Sequence, residues 1–146
     1  MRDYGLIRTA CQYAWQLVGK PYVWGGDDPM RGFDCSGLVI EILRAVGRLP
    51  EVFDCRAKDL FSRWELVYKP MSGCLVFWGN YGNISHVEFC IDDAVSIGAS
   101  GGGSKTLTLQ DAINQNAYIK PRPISREDWR ERYYNDPFLV ENEGRG

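Results

Sequence analysis

The sequence has no CxxC pair, no long run of apolar residues and no excess of positive charge. Its five cysteines are odd in number and show no metal-ligand spacing, which argues against a disulfide framework and a zinc site. No segment approaches the ~20 apolar residues of a membrane helix. The 17 Lys and Arg are outnumbered by 19 Asp and Glu, so no positive field attracts nucleic acid. We therefore expect no metal site, no membrane insertion and no nucleic-acid partner.

The N-terminal residues show no secretion signal. Asp3 and the polar residues Arg8, Gln12 and Gln16 interrupt the apolar positions, so no continuous hydrophobic segment remains. We expect a chain that is cytoplasmic as synthesised, or one that is phage-borne or delivered to the cell wall by another route. The oligomeric state is not predicted by the sequence.

The composition is typical of one folded domain. Of the 146 residues, 45% are hydrophobic, 13% aromatic and 25% charged, which differs from the low-hydropathy, high-charge composition of disordered chains. We assign residues 1–124 to the main domain. Residues 125–146 are predicted to form a short surface helix near Trp129 and a tail of the same domain.

Apolar periodicity predicts helices first and strands afterwards. Apolar residues at three- and four-residue steps predict a helix over residues 3–18, a second from Cys35 to about Gly47, and a shorter third over 57–66. The glycine-rich segment 101–104 predicts a loop, and it lacks the GxxxxGK[ST] pattern of a phosphate loop. This order indicates an α+β fold with N-terminal helices packed on an antiparallel β-sheet. The predicted strands cover residues 74–78, 85–91, 94–99 and 117–122.

Cys35 lies in the first turn of the second predicted helix. A free cysteine has a pKa of about 8.5 and is mostly protonated at neutral pH, unless a helix N-terminus or an imidazolium stabilises the thiolate. Amides of a first helical turn favour an anion and can also bind the oxyanion of a tetrahedral intermediate. The small residues Ser36 and Gly37 leave room for a substrate carbonyl. For an isolated cysteine, however, a buried structural role is the commoner one.

His86 is the only histidine and follows Cys35 by 51 residues, in a segment that resembles a strand. A lone histidine on a strand is usually a hydrogen-bonded core or edge residue. A cysteine at a helix start followed by a histidine on a strand, however, is the papain-type order, in which the imidazole takes the thiol proton.

Three segments are similar to the NlpC/P60 family of cysteine peptidases. They are GKPYVWGG at 19–26, GFDCSGLV at 32–39, and LVFW at 75–78 followed by SHV at 85–87. The resemblance implies a papain-like α+β core, with residues 1–124 as the catalytic domain. Typical members cleave peptide bonds in bacterial cell-wall stem peptides, often between D-glutamate and a diamino acid. The implied partner is therefore peptidoglycan, or murein stem peptides.

The resemblance also implies roles for five residues. Cys35 is the nucleophile, and His86 is the base that later protonates the leaving amine. Tyr22 falls on a family tyrosine whose hydroxyl helps to hold the oxyanion or the substrate, with an aromatic core residue as the alternative. Asp34 and Ser36 fall where the family binds the free amino group of a stem peptide, although each could instead cap the helix. No cofactor is implied, because a thiol supplies its own nucleophile.

One departure from the family concerns the group that orients the catalytic imidazole. The family usually has a second histidine or another polar residue on the next strand, and the matching position here is Gly98. Orientation would then come from a backbone carbonyl, a water or a nearby side chain, with Ser96 and Ser100 on the same strand face. On this interpretation Gly98→His retains or raises turnover. A smaller departure is Cys74, where the family commonly has aspartate.

Three functions remain open on the sequence alone. The first is a peptidoglycan endopeptidase that works through a Cys35 acyl-enzyme. The second keeps the same dyad but attacks another amide or ester, as a related amidase or acyltransferase. The third is a weakly active or inactive module that binds cell wall or belongs to a phage structure.

Overall fold

The computed structural model describes residues 1–28, 32–50, 56–99 and 105–140. Within these ranges the chain forms four helices and eight strands. The helices are α1 (Tyr4–Leu17), α2 (Cys35–Ala45), α3 (Ala57–Arg63) and α4 (Leu109–Gln115). The strands are β1 (Asp27–Asp28), β2 (Gly32–Phe33), β3 (Leu66–Val67), β4 (Leu75–Asn80), β5 (Asn83–Cys90), β6 (Val95–Ala99), β7 (Ile119–Pro123) and β8 (Glu131–Asn135).

One six-stranded sheet organises the molecule, with the strand order β3-β8-β4-β5-β6-β7. Every neighbouring pair in it is antiparallel, while β1 and β2 form a separate antiparallel pair. The predicted α+β class is confirmed, as are the three predicted helices and four predicted strands, each with small shifts at its ends. No helix in the described part of the chain has the length and apolarity needed to cross a membrane.

Helix α2 packs against β5 and contributes most of its side chains to the main core. Leu38, Ile42 and Leu43 are fully buried and share one cluster with Val87 and Phe89 of β5. Burial of each such side chain stabilises the fold by about 1.5–3 kcal/mol. Because α2 begins at Cys35, this packing places the first turn of the helix close to β5.

A β-bulge lies just before His86 on β5. Trp78 pairs with His86, whereas the next residue, Gly79, pairs with Ile84, which leaves Ser85 as the extra residue. Gly79 has a φ of 145°, and a Cβ there would lie 2.5 Å from the Asn83 carbonyl oxygen. The bulge therefore requires glycine at position 79.

The segment after residue 124 differs from the prediction. The prediction of a surface helix near Trp129 is wrong, because the described residues there form no helix. Residues 131–135 instead form β8, which lies between β3 and β4 in the sheet. The charged residues at the start of this segment, ERYYN, indicated a surface position. Its two tyrosines favour a strand, however, and the strand ends in the buried Asn135. The predicted tail at 141–146 lies outside the described residues, as does the predicted loop at 101–104.

Helix α4 was not predicted, although the sequence contains its start signal. Thr108 Oγ1 accepts a hydrogen bond from the Asp111 amide at 3.1 Å, and Asp111 Oδ2 accepts one from the Thr108 amide at 3.2 Å. This reciprocal pair is a capping box. The T-x-x-D spacing that encodes it could have identified the helix.

Candidate active site

Asp34 and the first turn of α2 fix the position of Cys35. As the N-cap, Asp34 accepts a hydrogen bond at Oδ1 from the Gly37 amide at 2.7 Å. Its Oδ2 accepts another from the Gly25 amide at 3.1 Å, which ties the 19–26 segment to the helix. Cys35 is partly buried. The thiol is thus held at the positive end of a helix, where an anion is favoured.

His86 bridges Cys35 and a second side chain, Glu88. Its Nε2 lies 2.7 Å from Glu88 Oε2, and the ring also hydrogen-bonds with the Cys35 side chain. Because Nε2 is hydrogen-bonded to Glu88, Nδ1 is the ring nitrogen that can interact with the Cys35 thiol. The Trp78 ring lies beside the imidazole, with 5.5 Å between centroids. The structure therefore brings together the two residues that the sequence proposed as nucleophile and base.

The His86 imidazole is strongly biased towards its protonated form. Burial alone would lower the pKa of His86, but hydrogen bonds with Cys35 and Glu88, together with the negative charges of these groups, raise it to about 9. A protonated imidazole stabilises a thiolate beside it. The site therefore places a thiol beside an imidazole, the two groups that papain-type chemistry uses.

Glu88 is the residue of the site that sequence reasoning missed. Its carboxylate is buried and surrounded by donors: Ser96 Oγ donates to Oε1 at 2.6 Å, and Arg126 Nη2 lies 2.9 Å from Oε2. Burial alone would raise the pKa of Glu88, but the hydrogen bond and charge of His86, with help from Arg126 and Ser96, lower it to about 2. Glu88 is therefore an anion that can fix the ring orientation of His86.

Gly98 does not leave an empty position beside His86. A Cβ at residue 98 would lie 2.3 Å from both Cγ and Cδ of Glu88, so the glutamate side chain occupies the space that the missing side chain leaves. From the sequence, Ser96 and Ser100 are two candidates for the side chain that orients His86. Ser96 instead holds Glu88, and Ser100 lies outside the described residues. The signal in the sequence was the spacing of His86 and Glu88, since residues two apart share a strand face.

Cys35 and His86 open onto a cavity of about 340 Å³. Tyr22 lines it and is 95% buried, since its relative exposure is 5%. Burial raises the pKa of Tyr22 well above its usual value, with smaller contributions from the charges of Cys35 and Asp34. The Tyr22 hydroxyl therefore stays protonated at neutral pH and can act as a hydrogen-bond donor in the cavity. Trp24 and the arginines 122, 126 and 130 also line the cavity.

The profile of the NlpC/P60 family matches residues 19–134. The chain belongs to the NlpC/P60 family. The resemblance seen in the three sequence segments is thereby confirmed. The matched range ends within β8, so it includes most of the segment between residue 124 and the end of that strand.

Individual relatives agree with the family assignment. Murein DD-endopeptidase MepH of Escherichia coli K12 is 56% identical over 127 residues, which cover 80% of this chain and 45% of that protein. A solved NlpC/P60 family protein from Bacillus cereus has a TM-score of 0.72 at 18% identity, covering 91% of this chain and 40% of the other. RipD of Mycobacterium tuberculosis, described as a non-catalytic NlpC/P60 domain protein, has a TM-score of 0.63 at 16% identity, with 89% and 95% covered.

The chain spans less than half the length of the curated relatives it matches, for example 15% of Protein P54 of Enterococcus faecium and 45% of MepH. The two structural likenesses, at identities of 18% and 16%, establish the fold. They carry no information on the bond that is cleaved.

In this NlpC/P60 domain, Asp34 and Ser36 also have structural partners. Both Asp34 oxygens accept backbone amides, and Ser36 Oγ donates to Asp34 Oδ1 at 3.4 Å. Ser36 is 9% exposed. The capping role that the sequence allowed for Asp34 is thus present, and binding of a substrate amino group by Asp34 and Ser36 stays a prediction.

The other described cysteines lie in surroundings unlike that of Cys35. Cys74 and Cys90 are fully buried, and burial raises the pKa of Cys74 to about 11 and that of Cys90 well above its usual value. Burial also raises the pKa of Cys11. Cys55 lies outside the described residues. Among the residues that the structure describes, no group of three or more His, Cys, Asp or Glu side chains is arranged to hold a metal ion.

A second, larger groove of about 730 Å³ lies beside α3 and the turn between β4 and β5. Phe61, Trp64 and Tyr81 line it, and none of the predicted site residues does. The smaller cavity is therefore the candidate active site, because it contains the only histidine and a cysteine in hydrogen-bond contact with it.

Proposed function

We propose that this chain is a cysteine endopeptidase that cleaves amide bonds in peptidoglycan peptides through a Cys35 acyl-enzyme. The observation that carries the proposal is the hydrogen-bonded series Cys35–His86–Glu88 at the start of α2. A nucleophile, a base and a group that orients the base are the three parts that this chemistry needs. Membership of the NlpC/P60 family and similarity to a named murein endopeptidase support peptidoglycan as the substrate.

The first half of the reaction forms a thioester. The Cys35 thiolate attacks the amide carbonyl carbon, and the carbonyl oxygen becomes an oxyanion. The His86 imidazolium then protonates the leaving nitrogen, the carbon–nitrogen bond breaks, and the amine product departs. The acyl group remains on Cys35 Sγ, and His86 is left neutral.

The second half of the reaction restores the thiol group. Neutral His86 removes a proton from water, and the oxygen attacks the thioester carbonyl. Collapse of the second tetrahedral intermediate breaks the carbon–sulfur bond and releases a carboxylate product. Glu88 stays anionic throughout and keeps Nε2 as the protonated nitrogen, so Nδ1 faces the reacting atoms.

Two kinds of donor can stabilise the oxyanion. The first amides of a helix have no intrahelical acceptor, and the Gly37 amide is already bonded to Asp34. The amides of Cys35 and Ser36 therefore remain as donors, together with the Tyr22 hydroxyl. Loss of one such donor typically costs a factor of about 10²–10³ in rate. We assign Asp34 and Ser36 to recognition of a substrate amino group, in addition to the helix cap that Asp34 forms and the hydrogen bond that Ser36 donates to it.

The bond has two candidates. The family resemblance favours the link between D-glutamate and a diamino acid. The similarity to MepH, a murein DD-endopeptidase, favours a D,D cross-link. Both are amides that the same three residues can hydrolyse.

Mass spectrometry of digested murein tests the function and distinguishes the bonds. The parent protein should release muropeptide fragments cut at one of the two links, while Cys35→Ala should release none. Transfer of the acyl group to an added amine would instead identify an acyltransferase. RipD illustrates the remaining alternative, since it is described as non-catalytic and adapted to peptidoglycan binding. Binding of murein without any cleavage would contradict the proposal.

A further inference from the structure

Three arginines line the candidate active-site cavity, and two of them have protein partners. Arg130 is held by Asp128, with Nη2 2.8 Å from Oδ2 and Nε 3.0 Å from Oδ1. Arg126 pairs with Glu88 and stacks over the ring of Trp78 at 4.3 Å from its centroid. These contacts explain the positions of two guanidinium groups without a ligand.

Arg122 is different, because its side chain makes no hydrogen bond or ion pair with any residue in the described part of the chain. It lies on β7 and is partly buried, directly opposite Ser96, the serine that holds Glu88. Its partner-free guanidinium therefore lines the same cavity as Cys35 and His86.

A second unsatisfied donor comes from Arg126. Its Nη1 atom is buried and has no hydrogen-bond partner, although Nη2 of the same side chain contacts Glu88. A buried donor without a partner destabilises the folded protein, and more so when it is charged. Among the described residues, two arginines that line the cavity thus have guanidinium N–H groups without a protein partner.

We propose that Arg122, with Nη1 of Arg126, binds a carboxylate of the substrate next to the scissile amide. The proposal deepens the proposed function and rests on it, since the carboxylate belongs to the peptide that Cys35 attacks. Arginine suits this task because its planar fork matches the two oxygens of a carboxylate. Of the acids that line the cavity, Asp128 is paired with Arg130, and Glu127 is exposed.

Both candidate bonds provide such a carboxylate, but from different sides. A γ-linked glutamate retains a free α-carboxylate on the acyl side of its amide. In a cross-link to the side-chain amine of a dicarboxylic diamino acid, the free carboxylate lies on the amine side. The source of the carboxylate that Arg122 binds therefore identifies the direction in which the peptide lies in the cavity.

The experiment compares three synthetic stem peptides. The first has all carboxylates free, the second has the glutamate α-carboxylate amidated, and the third has the diamino-acid carboxylate amidated. The parent should cleave the first peptide with a kcat/KM about 10- to 100-fold above that for one of the two amides. Arg122→Gln should lose that preference, because its kcat/KM for the free-acid peptide should fall to its value for the amidated peptide. The peptide whose amidation matters then identifies the source of the carboxylate.

Lys120→Gln is the matched control. Lys120 lies two residues before Arg122 on β7 and does not line the cavity, and the substitution removes the same charge. It should retain the parent's preference for the free acid. Arg122→Lys should keep part of that preference, because it preserves the charge but not the fork. Far-ultraviolet circular dichroism and thermal unfolding verify that each variant is folded.

Binding measurements separate this proposal from the proposed catalysis. Calorimetry should show that Cys35→Ala binds the free-acid peptide about 10- to 100-fold more tightly than the amidated peptide that the parent cleaves poorly. Cys35→Ala/Arg122→Gln should bind these two peptides equally. If the parent fails to cleave any peptide but this binding preference is present, the catalytic function is wrong and the carboxylate site stands. If Arg122→Gln keeps the parent's preference, or if neither amidation affects binding, the carboxylate site is wrong.

Discussion

The carboxylate side chain of Glu88 fills the space that any side chain at position 98 would need. A Cβ on Gly98 would lie 2.3 Å from Glu88 Cδ and 2.6 Å from Oε2. The family usually places its orienting group on the strand that holds Gly98, whereas this chain supplies the group from the strand of His86 itself. The Glu88 side chain can therefore take this position only because residue 98 is a glycine. A substitution at either position should change which side chain the other position can accommodate.

Gly98→Ala should lower turnover while Cys35 and His86 stay in place. The new methyl group displaces the Glu88 carboxylate, so His86 loses the acceptor that fixes its ring. We expect kcat for stem-peptide hydrolysis to fall by at least about tenfold, within the ~10⁴ measured for loss of the aspartate of a serine-protease triad. Gly82→Ala is the control, because a Cβ there meets nothing within 4 Å. Undiminished turnover in Gly98→Ala would show that the Glu88 contact is not needed.

The exchange of the two positions provides a second test. Glu88→Ala should lose activity, and Glu88→Ala/Gly98→His should regain part of it, because the histidine can occupy the vacated space and accept from His86 Nε2. The single substitution Gly98→His, expected from the sequence to retain or raise turnover, should instead lower it. The measurement is the kcat of the double variant compared with that of Glu88→Ala, with thermal unfolding used to check that the two variants are equally stable. No recovery would mean that only a carboxylate can orient His86 here.

The pKa of His86 should be measurable directly, because it is the only histidine. In a tag-free protein, one imidazole C–H signal should titrate by nuclear magnetic resonance with a pKa of about 9. Glu88→Gln should lower this pKa, since it removes an anionic acceptor, and Cys35→Ala should also lower it. Lys120→Gln should leave it nearly unchanged. A parent value near the usual 6.5 would contradict the proposed ion pair.

Much of the site could be predicted from the sequence because its main parts are local. Cys35 follows an Asp at a helix start, and His86 lies in an apolar segment with strand character. Both features are visible in a few consecutive letters. Tyr22 and the 19–26 segment followed from the family resemblance, and the hydrogen bond from the Gly25 amide to Asp34 is the physical link between them.

The remaining parts depend on contacts between distant segments. Glu88 sits among Val87, Phe89 and Cys90, and no local pattern tells whether a glutamate there is buried. Its partners Ser96 and Arg126 come from other segments of the chain. In the same way, β8 is short and charged, and only its pairing with β3 and β4 identifies it as a strand.

The contacts of His86 with Cys35 and Glu88 should make stability depend on pH in both directions. Since the pKa of His86 rises from 6.5 to about 9, its contribution is complete below pH 6.5 and is lost as the pH rises through 9. Since the pKa of Glu88 falls from 4.5 to about 2, its contribution is complete above pH 4.5 and is lost as the pH falls through 2. The full effect is therefore expected between pH 4.5 and 6.5.

Urea unfolding of the parent and of His86→Gln measures this dependence. The difference in unfolding free energy should be about 3 kcal/mol between pH 4.5 and 6.5, counted once because the two groups are coupled. It should shrink as the pH rises above 6.5 and be lost once the pH has passed about 9. Lys120→Gln, which removes a charge outside the pair, should show no such decline. A difference that stays constant from pH 5 to pH 10 would contradict the ion pair.

Cys35 should react with iodoacetamide faster than Cys11, Cys74 and Cys90. Cys74 and Cys90 are buried, and burial raises the pKa of all three of these thiols, whereas Cys35 lies at a helix N-terminus in contact with His86. His86→Ala should slow the labelling of Cys35 near neutral pH, because the thiol loses the neighbouring imidazole that can accept its proton. Peptide mass spectrometry at short reaction times gives the rate for every cysteine, Cys55 included. Equal Cys35 rates in the parent and His86→Ala would mean that the imidazole does not activate the thiol, and the Cys35–His86 contact would then be structural rather than catalytic.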